Sequence, residues 1–226
     1  MKEAIQLLNN NSELFNIQLS DPQGRKYDLF RIAAMQNSTE LLSLLLSNKI
    51  PYNAEIDPWS AAHHCSFSNS PEVLTLLIQN GIEFDNFDER GKSPFYWSIL
   101  KKKFAISKIL LDNGVDVNVR WKLDQTMALI HHESKDGRIE GLTFLLENGA
   151  DPNSRDNRFA KDSTPIHGAC KFDRLKAAEL LIKFNADVNA QNSEGKTALD
   201  FANESKKKLC KELVEKNGGI SGSGGK

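Results

Sequence analysis

The chain has 226 residues, enough for one or two globular domains. Its 29 Lys and Arg residues against 30 Asp and Glu leave a formal charge of −1. That balance provides no broad basic field to gather nucleic acid or an anionic membrane, and no nucleic-acid partner is expected. No run reaches eighteen apolar residues, so no stable membrane insertion is expected. The opening residues lack the long apolar core of a secretory signal. Cys65, Cys170 and Cys210 are too few and too widely spaced for a disulfide framework, which predicts buried free thiols in a reducing compartment. The expected setting is the cytoplasm, with the nucleus also open.

Along the chain, Glu3-Ala4-Ile5, Leu7-Leu8 and Leu14-Phe15-Asn16 read as a second helix and finger without a first helix, giving a half-repeat or cap over 1–27. Asp28-Leu29-Phe30-Arg31-Ile32-Ala33-Ala34 then leads to Leu41-Leu42 and Leu44-Leu45-Leu46. Ser60-Ala61-Ala62-His63-His64-Cys65 leads to Leu76-Leu77-Ile78 and Asn80-Gly81. Ser93-Pro94-Phe95-Tyr96-Trp97-Ser98 leads to Ile109-Leu110-Leu111 and Asn113-Gly114. Ala128-Leu129-Ile130-His131 is a weaker head, followed by Phe144-Leu145-Leu146 and Asn148-Gly149. The clearest copy is Thr164-Pro165-Ile166-His167-Gly168-Ala169-Cys170, with Leu180-Leu181-Ile182 and Asn185-Ala186-Asp187-Val188-Asn189. The last is Thr197-Ala198-Leu199-Asp200-Phe201-Ala202, ending in Leu213-Val214-Glu215.

The fourth motif position falls at Arg31, His63, Tyr96, His131, His167 and Asp200, at spacings of 32, 33, 35, 36 and 33. A period of about 33 residues with this motif resembles the ankyrin-repeat family over nearly the whole chain. The resemblance implies an all-α ankyrin-repeat solenoid, in which helix-turn-helix repeats are joined by β-hairpin fingers. About six repeats would occupy 28–218, with a flexible Gly/Ser tail over 219–226. The register also has a physical reading. Thr164 is placed to cap a helix whose first residue is Pro165, where a missing N–H costs nothing. Gly81, Gly114 and Gly149 stand where second helices end and φ must turn positive. Charge around Lys211, Glu215 and Lys216 suits a terminal repeat with no neighbour to cover it.

Chemistry finds little support. In His63-His64 and His131-His132, adjacent helical residues point about 100° apart and chelate one ion poorly. The two pairs are also expected about 20 Å apart, on helices packed 8–10 Å from their neighbours. His63 and His131 are the motif histidines of the resembled family, bonding across the turns between repeats. Cys65 and Cys170 fall at the small-residue positions of first helices and predict inert thiols. No phosphate loop, nucleophile elbow or zinc-protease signature occurs. Neither catalytic nor metal-binding residues are expected, and no cofactor.

What remains is surface. The family generally binds partners through finger tips and the exposed side of its first helices, a concave groove. Large residues where the fold does not need them are therefore candidate partner-binding residues: Trp59, Phe87, Trp121 and Phe159 in the fingers, and His64, Phe67, Trp97, His132 and Phe172 on first helices. The expected function is a non-enzymatic interaction scaffold or adaptor holding a protein or peptide ligand, monomeric as an isolated array. A second reading is a sensor or trafficking module, endosomal ones included, whose Lys101-Lys102-Lys103 and Lys206-Lys207-Lys208 turns meet anionic headgroups; a third is a bacterial effector module. Asn118, Asn153 and Asn189 match the finger asparagine hydroxylated in some members of the family.

Overall fold

The structure is a computed structural model that describes residues 2–20, 22, 26–52, 59–120, 127–157, 160–206 and 208–222. Thirteen α-helices are present among them, and the chain divides into two compact units, Met1–Val115 and Asp116–Lys226. In the first unit, α1 (Lys2–Asn10) and a short 3-10 helix (Ser12–Asn16) precede a two-residue hairpin, β1 (Leu19–Ser20) against β2 (Lys26–Tyr27). The helix pairs α2 (Leu29–Gln36)/α3 (Thr39–Ser47), α4 (Ala61–Ser68)/α5 (Pro71–Gln79) and α6 (Pro94–Leu100)/α7 (Phe104–Asp112) follow. The second unit holds α8 (Leu129–Asp136)/α9 (Ile139–Glu147), α10 (Pro165–Lys171)/α11 (Leu175–Lys183) and α12 (Ala198–Glu204)/α13 (Lys208–Lys216). First helices pack on first helices, α2 on α4 on α6 and α8 on α10 on α12. This is the all-α repeat architecture that the family resemblance implies. Among the described residues, the β structure of the later fingers consists of single bridges, Arg120 to Ala128 and Asp156 to Ser163.

Each helix pair is short because its ends are fixed locally. The side chains of Asp28, Ser60 and Ser93 accept the N–H of Arg31, His63 and Tyr96. Ala128 has no side-chain oxygen for this purpose, which accounts for the weak head of the fourth repeat. Positive φ at Gly81, Gly114 and Gly149 ends α5, α7 and α9 as expected, with Asn185 doing the same after α11. The second-helix leucines supply the core. Leu42, Leu45, Leu74, Leu77, Leu110, Leu142, Leu145 and Leu181 are all fully buried, each worth about 1.5–3 kcal/mol relative to exposure.

At five of its six places, Tyr96 excepted, the fourth motif position ties its repeat to the segment that follows. His63 Nδ1 accepts the Ser60 N–H at 3.2 Å, so the proton sits on Nε2, which donates to the Lys92 carbonyl at 3.0 Å. His167 repeats this with the Thr164 N–H at 3.0 Å and the Lys196 carbonyl at 3.1 Å. His131 Nε2 meets Ser154 Oγ at 3.0 Å. Arg31, fully buried, spans the same gap: Nε donates to the Trp59 carbonyl at 2.9 Å and NH1 pairs with Asp28 at 2.6 Å. At Asp200 the tie is reversed, the carboxylate accepting the Gly222 N–H at 2.8 Å. Burial works against that charge, but the N–H groups of Thr197 and Gly222 hold the carboxyl below its ordinary range.

A second ladder runs through the fingers of the Asp116–Lys226 unit. Asn118, Asn153 and Asn189 accept from the N–H of Asp151, Asp187 and Ile220 at 2.8–3.0 Å. This rung also corrects the expectation of a flexible tail beginning at Gly219. Through Gly222 the tail is bonded: Gly219 N–H to the Val214 carbonyl, and the Ile220 carbonyl to Thr197 Oγ1. A Cβ on Gly222 would overlap the Gly195 carbonyl, so glycine here permits close approach rather than slack.

Burial, and next the Arg120 charge, push His131 down to about 3; burial chiefly, with Arg155, also lowers His167. The unfolded chain takes up these protons near pH 6.5 while the folded chain does not, so stability is full above that pH and is lost as pH falls toward 3. From pH 7.5 to 5, His131 alone is expected to remove about 2 kcal/mol, and His167 acts in the same direction. Urea unfolding at the two pH values measures this, and His131→Gln should flatten the difference.

Candidate functional site

Four of the residues singled out in the sequence meet in the Met1–Val115 unit. Trp59, entering α4 from its finger, has ring centroids of Trp97 at 5.2 Å, His64 at 5.7 Å and Phe67 at 5.7 Å. Phe67 and Trp97 are 6.4 Å apart, and Tyr27 adds an edge contact to His64 at 5.8 Å. The reason is helical spacing: His64 and Phe67 stand one turn apart on α4, and Trp97 occupies on α6 the position that His64 occupies on α4. Packing α4 against α6 closes the group. His64 is buried, Trp59 and Trp97 are half-buried, and Phe67 remains 45% exposed. Such tilted and edge-on pairs each contribute about 0.5–1.5 kcal/mol beyond area.

The cluster is held from below by a residue that the sequence did not single out. Asp88, almost fully buried, accepts Trp97 Nε1–H at 2.9 Å through Oδ2. Through Oδ1 it accepts the N–H of Arg90 and Lys92 at 2.9 and 2.8 Å, folding the finger as an Asx turn. Asn192 makes the same two bonds three fingers later, to Glu194 and Lys196. The shared pattern Asp88-Glu89-Arg90-Gly91-Lys92 and Asn192-Ser193-Glu194-Gly195-Lys196 was the available signal. On the open side, Lys101 Nζ lies 4.4 Å from the Phe67 centroid and Lys92 Nζ 4.6 Å from that of Tyr96. Lys101 and Lys102 form the turn between α6 and α7, with φ of 56° at Lys102.

Phe87 is half-buried in its finger. Phe172, 40% exposed, ends α10 with Lys135 Nζ 6.0 Å from its ring. Trp121 and Phe159 fall outside the described residues, as does Lys207 of the second lysine triplet. Cys65 and Cys170 are fully buried free thiols; burial raises the first, and the neighbouring Cys210 thiol together with burial raises the second, so neither is poised as a nucleophile.

His132 belongs to a charged knot that the sequence reading missed. Arg138 donates to His132 Nδ1 at 2.9 Å, to Glu133 at 3.3 Å and to Asp136 at 2.9 Å. A guanidinium has no lone pair, so Nδ1 is the acceptor there, and its 3.3 Å approach to Glu133 is not a second hydrogen bond. Glu133 is buried where the other repeats carry Ala33, Cys65, Ser98, Ala169 and Ala202. Its volume is accommodated by Gly141, which stands where they carry Leu41, Val73, Ile106, Ala177 and Cys210. A Cβ at Gly141 would overlap the Glu133 carboxylate.

Comparison with known proteins agrees with this architecture. The family model described as ankyrin repeats (3 copies) matches residues 30–121 and 130–222. The chain is similar to a putative ankyrin repeat protein of Rickettsia bellii, 29% identical over 163 residues covering 60% of this chain and 23% of that protein. It is also similar to alpha-latrotoxin-Lg1a of Latrodectus geometricus, 27% identical over 142 residues, 63% and 10% of the two chains. The E3 ubiquitin-protein ligase Ufd4 of Drosophila melanogaster is 34% identical over 137 residues, 61% and 5%. The chain thus spans less than a quarter of each of these relatives. Among the described residues no helix is long and apolar enough to cross a membrane, and no group of three or more His, Cys, Asp or Glu could hold a metal ion.

The Glu133–Gly141 exchange is testable by a double-mutant cycle. Gly141→Ala should cost about 1–3 kcal/mol by overpacking, whereas in a Glu133→Ala background the same change should cost at least about 1 kcal/mol less. Additive effects in chemical denaturation would mean the two positions do not share one space. With more than four-fifths of its length matched by the repeat model, the chain belongs to the ankyrin-repeat family, whose arrays are generally protein–protein interaction modules.

Proposed function

We propose that this chain is a non-enzymatic interaction scaffold or adaptor that holds a protein or peptide partner on the aromatic cluster of Trp59, His64, Phe67 and Trp97. The observation that carries the reading is the convergence itself. Three large rings lie within 5.7 Å of Trp59, on the finger and first-helix side of their repeats, and Phe67 is left 45% exposed. Binding hot spots favour aromatic groups of this kind, half-desolvated and rigidly supported before the partner arrives. The Asp88–Trp97 bond supplies that support. Recognition proceeds by burial against a preformed surface, without a chemical step. Phe87, Phe172, His132, Trp121 and Phe159 remain separate candidates for partner contact. A cytoplasmic or nuclear setting fits the buried free thiols.

Affinity capture from cell extract tests this with the wild type and Phe67→Ser. The ring is 45% exposed and packs at the rim of the cluster, so the variant should melt within a few degrees of the wild type while losing at least tenfold of the captured partner. Equal capture by both proteins would sink the reading.

A further inference from the structure

The cluster also carries information about what it binds. Its rim is cationic. Lys101 Nζ sits over Phe67 and Lys92 Nζ over Tyr96, with Lys102 and Lys103 continuing the turn after α6. Neither Lys101 nor Lys103 has an ion pair with any described residue, although Lys108 a few residues on pairs with Asp112 at 2.8 Å. The one carboxylate beneath the rings, Asp88, is buried, and its oxygens are committed to Trp97, Arg90 and Lys92. In the adjoining finger turn the exposed Glu89 and Arg90 offset each other. An apolar platform edged by the Lys101 ammonium is complementary to a ligand that is apolar and acidic together, and it disfavours a basic one.

We propose that the cluster receives a linear acidic peptide. An aromatic or long aliphatic side chain lies against Trp59, Phe67 and Trp97, while a neighbouring Asp or Glu draws Lys101 off the face of Phe67 into an ion pair. This inference rests on the preceding reading of the cluster as the partner-binding surface. In the free protein Lys101 covers the ring, and the acidic residue is what uncovers it. Ligand charge and ligand apolarity therefore act together at one place.

The test pans a phage-displayed library of random dodecapeptides on the full chain, followed by titration of the synthetic consensus peptide against the wild type, Phe67→Ser and Lys101→Glu. The expected consensus pairs an aromatic or aliphatic residue with Asp or Glu. Its affinity should fall at least tenfold in each variant, and severalfold in the wild type between 50 and 300 mM salt, the screening expected of an exposed ion pair. Lys101 is exposed, so its variant carries the test even if Phe67→Ser unfolds. A neutral or basic consensus that is lost in Phe67→Ser but kept in Lys101→Glu overturns the acidic-peptide inference and leaves the cluster reading standing. A consensus indifferent to both variants overturns both. Enrichment of no peptide at all overturns the linear-peptide inference.

Discussion

Five of the six repeats of this chain carry, at one motif position, a polar side chain whose bond leaves the repeat. The side chain at the fourth motif position is buried at the base of its own first helix and reaches the following finger. A single helix pair of some twenty residues cannot cover its apolar face, so the array stands or falls on such links between neighbours. Histidine suits the position because its neutral ring accepts a backbone N–H on one side and donates to a carbonyl on the other. Where the residue differs, the bond is rebuilt with other chemistry. Arg31 donates twice, and Asp200 accepts from Gly222 instead of donating. The requirement is for a polar bridge across a fixed gap, and the residue type is secondary.

That division separates what the fold uses from what it leaves available. Thr164, His167 and Cys170 sit close together and would attract a catalytic reading in isolation. In the structure their polar atoms are spent on the cap, the bridge to Lys196 and the contact with Cys210. The aromatic residues around Trp59 have no such duty in the motif. Trp97 and His64 stand at a position where other repeats carry residues as different as Ile32, Gly168 and Phe201, and their convergence with Trp59 and Phe67 gives the first unit a surface that the motif does not prescribe.

The repeat register was legible because a 33-residue period, caps and positive-φ glycines all report the same boundaries. Individual members of the cluster were legible too, since Trp97 and Phe67 are oversized for their positions. Their meeting was not, because it requires α4 and α6 to be stacked and Trp97 to be turned by Asp88, and a bond from an indole to a finger carboxylate leaves no trace in spacing. Glu133 was overlooked for a related reason: a charge in a core position reads as a degenerate motif until Gly141 is seen to make room for it. The Gly219–Gly222 stretch misled by composition. Gly/Ser content usually signals slack, yet here the missing Cβ lets the backbone come close enough to bond to Asp200 and Asn189.

The central claim is that recognition uses the surplus aromatic surface and leaves the inter-repeat bridges untouched. Hydrogen–deuterium exchange of the full chain, free and with its captured partner bound, measures this most directly. The account predicts that exchange slows in residues 59–68 and 93–103, with the backbone around His131, His167 and Asp200 unchanged. Slowing concentrated in the second unit, with none around Trp59, Phe67 and Trp97, would contradict it.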